Sequence, residues 1–191
     1  MSKKSIYSEN GQVPEIRTFT ISILSDNKPG LLNHVTIILT RRKMNIESLN
    51  VSETEVEGVS RYTIVTKSTR VKVEKIVKQI RKLIEVLGAF VYEEDEIYYQ
   101  EIAMYKVPTK AFLNNNKIEL LVRNNGARIL VIEADHIVIE KTGHRNDVRA
   151  LLEKLKPFGV LEYVRSGRIA ISKSKRKTET FLKELEKNSL Q

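Results

Sequence analysis

The pattern of polar and apolar residues follows the same order twice along the chain, and this repeat limits the folds that the sequence can adopt. Alternation at every second residue predicts a strand, and apolar residues three and four apart predict an amphipathic helix. In chain order, the first half predicts a strand at residues 18–24, a helix after Gly30, a hairpin at residues 46–54 and 60–66, a helix at residues 71–87 and an extended segment at residues 86–99. This order is that of a split β-α-β unit used twice.

The second half repeats that order. It predicts a strand at residues 102–107, a helix at residues 110–124, a hairpin at residues 128–133 and 136–141, a helix at residues 145–156 and strands at residues 160–164 and 168–172. Pro157 ends the last helix, because proline lacks the N–H that a helix interior needs. We therefore predict an α+β fold of two tandem ferredoxin-like (βαββαβ) domains, residues 16–99 and residues 100–172, with almost no linker around Gln100.

The two ends of the chain lack this pattern. Residues 1–15 are polar and show no period, which indicates a flexible N-terminal arm. Their positive start has no apolar stretch behind it, so they do not form a secretory signal. Residues 173–191 form a basic tail whose few apolar residues at helical spacing favour at most a marginal helix.

The net charge of +9 raises the question of nucleic-acid binding, which depends on where the basic residues lie. They cluster at residues 41–43, 78–82 and 173–177, and no cluster alternates with aromatic residues as a platform for stacking bases does. The strands carry valine, isoleucine and threonine rather than paired aromatic residues. We therefore favour a solvated basic surface over a nucleic-acid partner, and the nucleic-acid-binding protein is kept as an alternative.

The chain also lacks the features of a membrane or disulfide-bonded protein. No apolar run approaches the roughly 18 residues that a membrane span needs, so we expect no membrane partner and a cytoplasmic location. The sequence has no cysteine, which excludes disulfides, a thiolate nucleophile and a cysteine zinc site.

Candidate catalytic groups do not converge in the sequence. The three histidines, His34, His136 and His144, are far apart and lack the spacing of a metal site. Residues 93–96 are four adjacent carboxylates, which alternation on a strand would send to opposite faces, so a solvated or edge-protecting segment is the better interpretation. We expect no catalytic residues, no metal and no cofactor in this chain.

The turn at residues 26–30, Asp-Asn-Lys-Pro-Gly, lies between the first strand and the first helix. The unpaired N–H groups of a helix's first turn attract a carboxylate. Asn27 carries both a donor and an acceptor for an amino group. An ordinary β-α turn with no ligand remains the alternative, because proline and glycine are common turn residues.

These residues carry a resemblance to a known family. The run Asp-Asn-Lys-Pro-Gly-Leu-Leu at residues 26–32, followed by Asn-Ile-Glu-Ser-Leu at residues 45–49, resembles the ACT domain of the small regulatory subunits of acetolactate (acetohydroxyacid) synthase. The resemblance continues through residues 60–65, 101–107 and 156–167 and covers roughly residues 17–172. It implies that the first domain is an ACT domain.

The resemblance also implies a function. Such a subunit is not catalytic: it binds and activates the large catalytic subunit, in which thiamine diphosphate, magnesium and FAD are expected. It confers feedback inhibition by a branched-chain amino acid, usually valine. The ACT domains pair as a homodimer, and the effector lies at their interface.

The resemblance assigns the effector site residue by residue. Asn27, Gly30 and Leu31 are expected to contact the polar end of the amino acid, and Asn45 with Ile46 to close the site from the other subunit. A short apolar side chain suits an apolar wall such as Leu31, Val35 and Ile46. Leu31 stands where the family more often has a smaller residue, and residues 124–127 depart from the family pattern. An ACT-type sensor that controls a different enzyme or transcription is the alternative.

Overall fold

The computed structural model describes residues 15–113, 117–175 and 180. The predicted arm, apart from residue 15, and nearly all of the predicted tail helix lie outside the described residues. Contacts between Cα atoms divide the chain into two compact units. The first unit consists of the residues up to Tyr98 together with those from Ser172 onward, and the second unit is Tyr99–Ile171.

Between Arg17 and Tyr92, the first unit contains four strands and two α-helices. In chain order they are β1 (Arg17–Asp26), α1 (Leu31–Arg41), β2 (Ser48–Glu53), β3 (Val59–Ser68), α2 (Arg70–Ile80) and β4 (Val86–Tyr92). The strands form one antiparallel sheet in the order β2-β3-β1-β4. β1 and β3 are therefore the central strands, and β2 and β4 are the edges.

The core of the first unit lies between this sheet and the two helices. On β1, the fully buried Phe19, Ile21 and Ile23 alternate with residues of the other face, as a strand covered by helices requires. On the helices, the buried side chains recur at helical spacing. They are Leu31, Val35 and Leu39 of α1 and Val73, Ile76, Val77 and Ile80 of α2.

Two predictions for this unit were wrong in detail. The second helix ends at Ile80 rather than at residue 87, and Ile84, which continues the helical spacing, is 96% exposed. At the helix end, the Arg81 Nε donates to the Ala89 carbonyl of β4 at 2.8 Å. The predicted extended segment is interrupted by a 3-10 turn at Glu94–Glu96, and Glu93, which precedes the turn, pairs with two arginines.

The second unit repeats the arrangement of the first. In chain order its elements are β5 (Ile97–Pro108), α3 (Thr109–Leu113), α4 (Lys117–Asn124), β6 (Arg128–Ile132), β7 (His136–Gly143), α5 (Arg145–Leu155), β8 (Glu162–Arg165) and β9 (Ile169–Ser172). The sheet order is β6-β7-β5-β8, and β9 also pairs with β5. A 3-10 turn at Lys156–Phe158 follows α5, as Pro157 predicts. The predicted fold class, α+β with two tandem ferredoxin-like units, is confirmed.

Two further observations complete the description of the fold. The single helix predicted at residues 110–124 is described as α3 and α4, with residues 114–116 outside the description. Among the described helices, none is long and apolar enough to cross a membrane.

Two carboxylates are buried on the strands of the second sheet. Glu101 of β5 is 2% exposed and pairs with Arg165 of β8. Glu140 of β7 accepts a hydrogen bond from Thr142 and pairs with Arg128. The Thr142 hydroxyl and the Arg128 guanidinium hold the pKa of Glu140 below its usual range. Each buried carboxylate is thus paired with an arginine.

The phenol of Tyr105 is the polar group at the centre of the second core. It is fully buried, its Oη donates to the Val148 carbonyl at 2.5 Å, and burial raises its pKa. Replacing Tyr105 by phenylalanine removes one hydrogen bond and keeps the ring, so we expect a loss of about 1 kcal/mol in the free energy of unfolding. Urea denaturation monitored by circular dichroism measures it.

The matched control for this change is Tyr163→Phe. The Tyr163 ring lies 5.3 Å from that of Tyr105, and within the described residues its hydroxyl makes no hydrogen bond. We expect this control to change stability by less than about 0.5 kcal/mol. Equal losses in the two variants would contradict the role given to the Tyr105 hydroxyl.

Candidate functional site

The turn at residues 26–30 joins the end of β1 to the start of α1, and two neighbouring loops fix its course. The Asp26 N–H donates to the Glu85 carbonyl at 3.0 Å, in the loop between α2 and β4. The Asn27 N–H donates to the Gly58 carbonyl at 2.8 Å, in the β2–β3 turn. The turn therefore has a defined position before the helix begins.

Gly30 is the residue that directs the chain from this turn into α1. Its φ of 92° is left-handed, which glycine adopts at little cost. Its carbonyl accepts the N–H groups of Asn33 at 3.0 Å and His34 at 3.3 Å. The N–H groups of Leu31 and Leu32 have no acceptor among the described residues. Two donors at the positive end of the helix dipole are thus available to a ligand.

The charges of the turn itself are already paired. The Lys28 Nζ lies 2.7 Å from Asp26 Oδ2, and this hydrogen bond and the carboxylate's charge raise the pKa of Lys28. The carboxylate of Asp26 is therefore held by its own neighbour. What remains for a ligand is the pair of backbone donors and the side chain of Asn27.

The side chain of Asn27 contacts Glu53, a residue that the sequence alone did not indicate. Its Nδ2 donates to Glu53 Oε1 at 2.5 Å, and both side chains are exposed. Glu53 is the last residue of β2 and pairs with Ser60 across the hairpin. The predicted hairpin already placed residue 53 near its turn, but only the packing of that turn against Asn27 brings the two side chains together.

The structure corrects the proposed apolar wall. Leu31 and Val35 are 2% and 0% exposed, and both side chains belong to the core of their own unit. Neither side chain therefore offers an exposed apolar surface to a ligand.

Asn45 and Ile46 lie at the other end of α1. The helix ends at Arg41, and its 11 residues span about 16 Å. The Thr66 hydroxyl donates to the Asn45 carbonyl at 2.7 Å, and Ile46 packs partly against the core. Asn27, Gly30 and Leu31 thus lie together at the start of α1, and one chain does not bring them to Asn45 and Ile46.

Comparison with known proteins identifies the family. The chain is 37% identical over 159 residues to an acetolactate synthase small subunit of Mycobacterium leprae. The aligned residues cover 83% of this chain and 94% of that protein. The chain belongs to the acetolactate synthase small subunit family. A small subunit of Bacillus subtilis is 35% identical over 158 residues, covering 82% of this chain and 90% of that one.

Both units match this family. Residues 21–88 match the ACT domain described as AHAS small subunit-like, and residues 100–174 match the family described as the small subunit of acetolactate synthase. The crystal structure of an acetolactate synthase small subunit from Thermotoga maritima is 31% identical, with a TM-score of 0.76 over 84% of this chain and 99% of that one. The family resemblance and the ACT assignment of the first unit are confirmed.

The start of α1 offers both hydrogen-bond donors and hydrogen-bond acceptors. The donors are the N–H groups of Leu31 and Leu32, and the acceptors are the side-chain oxygens of Asn27 and of Glu53, which accepts a hydrogen bond from Asn27. Within the part of the chain that the structure describes, no three His, Asp or Glu side chains cluster so as to hold a metal ion. The arrangement is suited to binding and contains no nucleophile paired with a base.

Proposed function

We propose that this chain is the non-catalytic regulatory subunit of an acetolactate synthase in branched-chain amino acid biosynthesis. It binds the large catalytic subunit in the cytoplasm and activates it. Thiamine diphosphate, magnesium and FAD belong to that partner, and we assign no cofactor to this chain. The match of both units to small-subunit families supports this role, because it covers the chain from residue 21 to residue 174.

The effector in this proposal is valine or a related branched-chain amino acid. The observation that carries the site is the pair of unpaired N–H groups at Leu31 and Leu32, beside Asn27 and Glu53. The carboxylate of the amino acid binds the N–H groups, and its ammonium binds the side-chain oxygens. Its apolar side chain needs a wall, which the core positions of Leu31 and Val35 do not supply.

A second copy of the chain supplies that wall in our proposal. Asn45 and Ile46, at the opposite end of α1, close the site from the partner ACT domain. The edge position of β2 supports such a homodimer, since an edge strand leaves one row of backbone groups for pairing. Exposed apolar side chains on α1 and β2 support it too: Leu32 is 37%, Ile37 38% and Val51 43% exposed.

The effector acts through two arrangements of the complex. A ligand shifts an equilibrium only by its difference in affinity for the two states. A site that is complete only between two ACT domains has this property, because any change in how the domains pair changes the affinity. Sensing for a different enzyme or for transcription is less well supported, since residues 100–174 also match the synthase small subunit.

Reconstitution with the large catalytic subunit of the same organism tests the proposal. We expect co-purification, a higher rate of acetolactate formation, and inhibition of the complex by valine, leucine or isoleucine. Asn27→Ala is expected to keep the activation and to raise the half-inhibitory concentration by about tenfold or more, which corresponds to the loss of one charge-assisted contact.

Asn33→Ala is the matched control, because Asn33 is an exposed asparagine on α1, the helix that follows the turn, and its side chain makes no hydrogen bond within the described residues. It should retain both activation and inhibition. A chain that neither binds nor stimulates the catalytic subunit would refute the regulatory role. An unchanged inhibition in Asn27→Ala would refute the site and leave the regulatory role standing.

A further inference from the structure

A second site lies on the first unit, in a cleft between the end of α1 and the start of α2. The cleft has a volume of about 420 Å³ and is lined by Arg41, Arg42, Lys43, Thr69, Val71, Lys72 and Lys75. Five of these seven residues are cations, and none is acidic. The volume falls in the range of small-molecule sites, roughly 300–1,000 Å³.

The cations of this cleft have no carboxylate partners among the described residues. Arg42 Nε donates to the neutral Gln79 Oε1 at 3.3 Å, and Lys72 Nζ donates to the Lys43 carbonyl at 3.2 Å. Arg70, the first residue of α2, does not line the cleft and is paired with Glu74 and Glu93. The cleft thus keeps its positive charge while nearby cations are neutralised.

The backbone adds to this positive potential. The side chain of Thr69 precedes α2 and makes no capping hydrogen bond, so its hydroxyl is available beside the positive end of the helix dipole. Lys43 has a left-handed φ of 48°, a conformation that glycine adopts more readily. A lysine at this position brings a further cation to the cleft wall.

We propose that this cleft binds a small polyphosphate. Five cations in one cleft repel each other, and a ligand with several adjacent negative charges relieves that repulsion. Guanidinium groups bind phosphate oxygens in pairs, and lysines add point charges. An amino acid zwitterion carries one carboxylate and no net negative charge, so the ligand of this cleft differs from the effector at the β1–α1 turn.

The phosphates alone determine recognition in this proposal. The cleft contains no aromatic side chain on which a base stacks, and its only apolar residue is Val71. An inorganic polyphosphate and a nucleoside triphosphate are therefore expected to bind equally well. A single phosphate fills only part of the site and binds more weakly.

Calorimetric titration of the full chain with inorganic tripolyphosphate, at fixed ionic strength and without divalent cations, tests the proposal. A nucleoside triphosphate, inorganic phosphate, sulfate and a short single-stranded oligonucleotide are titrated in parallel. We expect a one-to-one complex with tripolyphosphate, similar affinity for the nucleoside triphosphate, and affinity at least about tenfold lower for phosphate and sulfate. Much tighter binding of the oligonucleotide would contradict the proposal and indicate a nucleic-acid surface.

The variant Lys72→Gln/Lys75→Gln removes two cations of the cleft. We expect its affinity for tripolyphosphate to fall by at least about tenfold, with unchanged circular dichroism and, without ligand, a melting temperature no lower than that of the wild type. Lys78→Gln/Lys82→Gln is the control, since these exposed lysines lie farther along the chain and outside the cleft. An equal loss in the control would show general attraction to a basic surface and overturn the proposal.

Discussion

Replacing Glu101 by alanine is expected to destabilise the second unit by about 3 kcal/mol, because the change leaves Arg165 without its partner. Glu101 is 2% exposed and lies on β5 on the same face as the buried Ala103 and Tyr105. The side chain of Arg165 is 20% exposed, so water compensates part of the loss. We therefore place the effect at the lower end of the range for broken buried pairs.

Hydrogen exchange monitored by mass spectrometry measures this effect within the full chain. Peptides from residues 99–171 are expected to exchange faster in Glu101→Ala, and peptides from residues 17–92 to serve as the internal reference. Glu162→Ala is the matched control, because Glu162 is an exposed glutamate on β8 with no ion pair within the described residues. Equal effects of the two substitutions would contradict the role of the buried pair.

A double variant distinguishes the contribution of the ion pair to stability from the contribution of the packing of its two side chains. Arg165→Met alone leaves the buried Glu101 carboxylate unpaired, so we expect a loss at least as large as that of Glu101→Ala. Glu101→Leu/Arg165→Met replaces both groups by apolar ones and is expected to recover most of the stability. An additive outcome, with no coupling beyond about 0.5 kcal/mol, would show that the two side chains act independently.

The order of strands and helices was predictable because periodicity reports which residues face a core. What the period does not report is which of two apolar faces is covered. On β5, Ala103 and Tyr105 alternate with Ile102 and Met104, and the structure buries the first pair and leaves the second 41% and 44% exposed. Tertiary packing decides between the faces, and a single sequence does not contain that decision.

The limits of the candidate site have a similar physical origin. The β1–α1 turn was predictable, since proline and glycine at residues 29 and 30 require a turn and the periodic residues after them require a helix. The role of Glu53 depends on how a distant hairpin packs against that turn, which local spacing does not specify. The expectation that Leu31 forms part of an apolar wall fails because its side chain belongs to the core, which local spacing does not specify either.

Replacing Gly30 by valine is expected to abolish the response to the effector. At a φ of 92° a β-branched residue is strained by about 1–3 kcal/mol. A Cβ at this position meets no atom within 4 Å, so the cost is conformational and involves no clash. Relief of the strain rotates the backbone that carries the Leu31 and Leu32 N–H groups, and the carboxylate loses its donors. Thermal-shift measurements with valine, leucine and isoleucine detect the loss.

The control for Gly30→Val is Gly30→Asn, because asparagine is among the residues that tolerate a left-handed φ. It adds a side chain in the same open space and keeps the backbone direction, so we expect the effector to stabilise this variant as it does the wild type. If both substitutions abolish the response, the added side chain itself blocks the site. If neither does, the N–H groups after Gly30 do not hold the carboxylate, and the effector binds elsewhere on the ACT domain.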